Sequence, residues 1–92
     1  MPSEVVTVTL DATGMLCPLP VLRARRILDD MNNGDILKIT ATDPASVRDI
    51  PAFCQMSRHT LVMAEANGDT FVFKIQKWSN ESPNNEANDN IP

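Results

Sequence analysis

The chain is expected to fold as a two-layer α/β (α+β) sandwich of order β-α-β-α-β-β, a mixed four-stranded sheet carrying two helices on one face. Three observations predict this. Short runs rich in β-branched residues alternate with two segments of helical periodicity. The last two strand-like runs flank Asn67-Gly68-Asp69, and Asn-Gly is a strong hairpin signal. A length of 92 residues allows one domain with a thin core. Strands joined through a helix run parallel by a right-handed crossover and a hairpin adds an antiparallel pair, so the sheet is mixed.

The elements follow in order. Residues 4–10, Glu-Val-Val-Thr-Val-Thr-Leu, read as a strand that stops at Asp11-Ala12-Thr13-Gly14. Residues 18–31 form the first helix, with Val21, Ala24, Ile27, Leu28 and Met31 on one face and Asn32-Asn33-Gly34 ending it. Residues 36–41 are the second strand. Asp43-Pro44 reads as an N-cap followed by proline at the first helical position, opening a second helix that ends near residues 56–58. Val47, Ile50, Phe53 and Cys54 share a side of that helix, and Pro51 should kink or interrupt it because proline lacks the N–H that the ladder needs. Residues 60–66 and 70–77 are the strands of the closing hairpin. The folded domain is expected to span residues 1–78. Residues 79–92, polar and acidic with almost no apolar groups, are expected to form a disordered tail.

Composition narrows the function. Hydrophobic residues make up 42% and charged residues 22%, near the averages for a globular domain. Of the net charge of -4, Glu81, Glu86 and Asp89 in the tail account for -3, leaving a near-neutral body without the basic footprint of a nucleic-acid binder. Two cysteines are too few for a disulfide scaffold, which predicts reduced thiols. Residues 1–4 do not start a signal peptide, and no run approaches the roughly 18 apolar residues of a membrane span, so the expected location is the cytoplasm.

Cys17-Pro18-Leu19-Pro20 is the most unusual stretch. The first N–H groups of a helix have no intrahelical partner, so Pro18 and Pro20 are tolerated at a helix start and preorganise it. Cys17 then sits at or beside the N-cap. There the helix dipole and a free N–H such as that of Leu19 favour the thiolate, predicting a lowered thiol pKa. The alternative is a small buried hydrophobe, the commonest fate of a free cysteine. Against it stands the position of Cys17 at a loop-to-helix junction rather than on an apolar stripe. On the same helix Leu19 and Leu22 miss the apolar face and fall beside Arg23 and Arg26, an apolar and basic patch suited to docking a partner protein. Gly14 is expected to supply the backbone conformation of the loop before Cys17, and Asp11 to hydrogen-bond within it.

Other candidates carry less. Cys54 could resolve a disulfide with Cys17, but its phase with Val47 and Ile50 makes it a core residue, and no CxxC motif is present. His59 could pair with a cysteine, yet a lone histidine in a turn is more often a surface or capping group. Asp43, Arg48 and Asp49 read as a capping and ion-pair cluster. Neither cysteine nor the histidine has metal-ligand spacing, and no metal is expected.

Asp11-x-x-Gly14-x-x-Cys17-Pro18-x-Pro20, together with Asp43-Pro44-Ala45 and the stretch from Arg48 to Cys54, resembles the TusA/SirA family of small sulfur-carrier proteins, most of all its TusA branch. The likeness spans about residues 7–77. It implies a fold like the C-terminal domain of translation initiation factor 3. It also implies that Cys17 accepts sulfur as a persulfide from a cysteine desulfurase and relays it to an acceptor protein, as a sulfurtransferase-type carrier used stoichiometrically. The implied destination is 2-thiouridine in tRNA; sulfur oxidation and molybdenum-cofactor assembly are alternatives. Pyridoxal phosphate is then expected only in the donor, with no cofactor bound here. The carrier is expected to be a monomer without direct contact to nucleic acid or membrane. A non-catalytic adaptor using the Leu19, Leu22, Arg23 and Arg26 surface is the rival from another class, and a Cys17–Cys54 dithiol protein is a third.

Overall fold

The computed structural model describes residues 5–78. The expected tail at residues 79–92 lies outside them. Strand β1 (Thr7–Ala12), helix α1 (Leu19–Asp30), strand β2 (Ile36–Ala41), helix α2 (Ser46–Ser57) and strands β3 (Thr60–Asn67) and β4 (Thr70–Gln76) follow in the expected order. The sheet order is β1-β2-β4-β3. β1 pairs parallel with β2, and β4 pairs antiparallel with both β2 and β3. The hairpin thus inserts its second strand beside β2 and leaves β3 at the edge.

Alternation along the strands sends one set of side chains inward. Leu10 and Ala12 of β1, Leu37, Ile39 and Ala41 of β2, and Phe73 and Ile75 of β4 form a single core with Ala24 and Leu28 of α1 and Ile50 and Cys54 of α2. Helix α1 lies over β1 and β2, and α2 over β3 and β4. The helical face expected from Val21, Ala24, Ile27, Leu28 and Met31 is the one that packs inward. Lys77 Nζ donates to the carbonyls of Asp29 and Met31, 3.3 and 2.7 Å away, and so serves the end of α1 that helical bonds leave unpaired.

Several boundaries depart from expectation. β1 runs through Asp11 and Ala12, because the parallel ladder continues to the Ala12–Ala41 pair and Ala12 is fully buried. Asp43 does cap, its Oδ1 accepting from the Ala45 N–H at 3.0 Å, but the turn it starts has i to i+3 bonds and α2 proper begins only at Ser46. α2 continues through Pro51 rather than breaking there. The carbonyl this proline leaves without a helical donor belongs to Val47, which is itself 53% exposed. Val47 is therefore outside the core, and Ser46 takes the inward position one helical step earlier. In the hairpin Asn67 pairs with Thr70, so Gly68 and Asp69 are the central turn residues. Only Gly68 has positive φ, the pattern of a II′ turn with glycine at its first central position.

Candidate functional site

Parallel pairing of β1 and β2 puts their C-terminal ends side by side, so the loop leading to α1 and the loop leading to α2 meet. Three hydrogen bonds tie the first loop to the second loop and to α2. The Gly14 N–H donates to Thr42 Oγ1 at 2.9 Å, the Cys17 N–H donates to Asp43 Oδ2 at 2.6 Å, and the Cys17 thiol donates to Asp49 Oδ2 at 2.7 Å. Gly14 has φ +80 and open space where a Cβ would stand, so backbone conformation rather than crowding asks for glycine. Asp11 Oδ1 accepts from both the N–H and the hydroxyl of Thr13, at 3.0 and 2.7 Å, which shapes the loop and lowers the carboxyl pKa. Asp43 spends one oxygen on its own helix start and the other on the Cys17 backbone, and both bonds hold its carboxyl below the ordinary range.

Pro18 is the N-cap of α1, and Pro20, two residues on, is buried beneath the first turn. The Cys17–Pro18 peptide is cis. Cys17 itself is exposed. Its ionisation runs against the sequence expectation. The Leu19 N–H is already donated to the Leu16 carbonyl at 2.9 Å, and the sulfur faces a carboxylate instead of free N–H groups. Only the thiol has a proton to give Asp49, so this bond raises the Cys17 pKa; partial desolvation and the negative charges of Asp49 and Asp43 add to the rise, and Arg48 opposes it. Arg48 Nε stands 3.5 Å from Asp49 Oδ1, with the Arg48 side chain itself largely exposed.

Cys17 opens into a cleft of about 730 Å³ between the two helices. α1 lines it with Val21, Arg25 and Asp29, and α2 with Asp49, Ala52, Phe53, Met56 and Ser57, while His59 and Trp78 complete the wall. His59 is brought into the same cleft as Cys17, yet its Nδ1 is occupied by the Trp78 N–H at 2.9 Å and its ring packs on Phe53 with centroids 5.9 Å apart. Burial and the charge of Lys77 lower its pKa against a smaller opposing effect of Asp29, which keeps it neutral near pH 7. The Arg58 guanidinium lies 5.5 Å from the Trp78 ring centroid. Cys54 is only 4% exposed, and burial pushes its thiol up to about 11.

Leu19, Leu22, Arg23 and Arg26 are exposed and lie outside the cleft lining, on another side of α1. Leu16, 69% exposed in the loop before Cys17, and Met56, 85% exposed on α2, extend the apolar surface near the thiol. By sequence position Asp43 and Asp49 read as structural. The signal that links them to Cys17 is the expected parallel β1–β2 pair, which obliges the loops carrying Cys17 and Asp43 to meet. Among the described residues no helix is long and apolar enough to cross a membrane, and no group of three or more His, Cys, Asp or Glu could hold a metal ion.

Comparisons with known proteins agree on one family. The family model described as Sulfurtransferase TusA matches residues 8–77. A sulfur carrier protein TusA of Allochromatium vinosum is 44% identical over 68 residues, covering 74% of this chain and 90% of that protein. Another from Pseudomonas syringae pv. tomato is 44% identical over 80 residues, covering 85% and 95%. A SirA-like protein of Desulfitobacterium hafniense, solved by crystallography, superposes with a TM-score of 0.69 at 20% identity over 78% of this chain and 99% of its own, a likeness of fold.

Proposed function

Because this chain belongs to the family of TusA sulfurtransferases, whose model covers residues 8–77, we propose that it is a sulfur carrier and that Cys17 bears the sulfur as a persulfide. The observation that carries this reading is the exposed Cys17 thiol at the mouth of the interhelical cleft, tied by side chain and backbone to two carboxylates of the neighbouring loop and helix.

In loading, the Cys17 sulfur attacks the outer sulfur of the donor's persulfide. The donor's S–S bond breaks, an S–S bond to Cys17 forms, and the Cys17 proton ends on the departing donor thiol, with no net oxidation. Delivery repeats the exchange with an acceptor cysteine as attacker and returns Cys17 as a thiol. The donor is a cysteine desulfurase, which keeps its pyridoxal phosphate, and the acceptor leads towards 2-thiouridine in tRNA. Leu19, Leu22, Arg23 and Arg26, exposed on a side of α1 outside the cleft, serve as the docking patch for these partners. Cys54 takes no part, being buried in the core with its thiol held protonated.

Intact-mass measurement after incubation with a cysteine desulfurase and cysteine tests this. One reducible adduct of about 32 Da, the mass of a sulfur atom, is expected on the wild type and on Cys54→Ser, and none on Cys17→Ser. An unmodified wild type, or an adduct that survives Cys17→Ser, rules the carrier reading out.

A further inference from the structure

A carrier that meets many thiols must differ between its empty and loaded states, and the contact between Cys17 and Asp49 depends on that difference. The thiol hydrogen is the whole of the link: Sγ donates it to Oδ2 across 2.7 Å. We propose that Asp49 is a positioning residue that latches Cys17 only while the carrier is empty, because adding the transferred sulfur removes the hydrogen by which the carboxylate holds it. This inference rests on the carrier reading and extends it to how the thiol is released.

The chemistry follows from counting atoms. Empty Cys17 is S–H. Loading replaces that hydrogen with a sulfur atom about 2.05 Å away, and the hydrogen leaves with the donor's thiol. Sγ and Oδ2 then face each other with lone pairs alone and separate. A sulfur placed along the former S–H direction would collide with Oδ2 across the 2.7 Å gap, so loading turns the side chain away from Asp49. Asp49 is placed for a second role during loading, as acceptor of the thiol proton while the new S–S bond forms, before that proton passes to the departing donor sulfur. Its other oxygen faces Arg48, so the carboxylate keeps a partner after the thiol has gone.

The remaining charges near the thiol do not reproduce this. Asp43, from the β2–α2 loop, engages the Cys17 backbone N–H, which loading leaves intact. Arg25 and Asp29 of α1 and His59 of the α2–β3 turn line the same cleft, and none of them shares a hydrogen bond with the thiol. Among the described residues it is Asp49 that accepts the hydrogen bond of the thiol itself.

The pH profile of Cys17 alkylation by iodoacetamide, read by intact mass on the full chain, tests the proposal. Asp49→Asn keeps an acceptor but removes the charge, and Asp49→Ala removes both. Both variants should move the alkylation midpoint to lower pH, Asp49→Ala further, and the thiolate fraction at neutral pH should rise about tenfold for each pH unit by which the midpoint falls, with the rate rising by a smaller factor because a less basic thiolate is a weaker nucleophile. With Cys17 first converted to its persulfide by inorganic polysulfide, wild type and variants should alkylate alike. An unchanged midpoint in variants that melt like the wild type overturns the latch, as does an equal change in the empty and loaded forms. Should both variants fail to fold, the 13C shift of the Asp49 carboxyl in the wild type decides: it must move when Cys17 is alkylated, and a constant shift overturns the proposal. None of these measurements uses a desulfurase, so failure of the carrier reading, seen as no sulfur uptake from that donor, is read separately.

Discussion

The two thiols of this chain are both shifted upwards, for opposite reasons. Cys54 is pushed to about 11 because the core around it solvates a thiolate poorly. Cys17 is exposed, and the hydrogen bond to the Asp49 carboxylate is the first cause of its rise. A buried thiol stays inert whatever binds outside, whereas one held by a carboxylate is freed when that carboxylate is neutralised or turned away. His59 supplies a pH dependence. Its folded pKa is lowered, so the unfolded chain binds the proton more readily and the native state loses stability as pH falls from about 7.5 to 5.5 through the ordinary histidine value. Melting temperatures across that range should decline in the wild type and follow a flatter course in His59→Gln; equal slopes would show that another group carries the dependence. That His59 would line the thiol's cleft was not legible in its sequence position, since Phe53 and Trp78, which hold its ring, lie six residues before it and nineteen after it.

At the level of elements, the site is made by one parallel strand pair. Ala12 and Ala41 are register partners at the ends of β1 and β2, and every contact of Cys17 with the α2 side starts from that juxtaposition. Gly14 lets the first loop turn back towards Thr42. Gly14→Ala meets no atom within 4 Å of the new Cβ, so its effect is purely conformational: a loss of about 1–2 kcal/mol, the cost of a left-handed backbone for an ordinary residue. Chemical denaturation should show that loss with an unchanged m-value. Pro51 illustrates the limit of local rules. A proline in a helix interior reads as a break, but packing of Ile50 and Cys54 on either side of it holds α2 together.

For the whole molecule, the inner face of a single sheet and one face of each helix make the only layer of core among the described residues. Leu28 is fully buried at its centre on α1, and Leu22, on the same helix, is 53% exposed. Leu28→Ala should cost about 2–5 kcal/mol in thermal or urea unfolding through lost burial and the cavity left behind. Leu22→Ala should stay within about 0.5 kcal/mol of the wild type and weaken binding to the sulfur donor. A Leu22→Ala variant that melts like Leu28→Ala would place Leu22 in the core; unaltered donor affinity would remove it from the docking patch.

What the sequence determined by itself is whatever depends on neighbours along the chain. The order of elements is legible because strand alternation, helical spacing and turn residues act over a few positions, and Cys17 stands out because two prolines mark a helix start. The ionisation of that thiol belongs to the tertiary structure. Asp43 and Asp49 lie 26 and 32 residues beyond Cys17, and only the crossover that sets β2 beside β1 brings their carboxylates to its backbone and sulfur. Helix-start position alone favours a thiolate, but a carboxylate in direct hydrogen bond outweighs the partial charge of a helix end, and so Cys17 rests as a thiol.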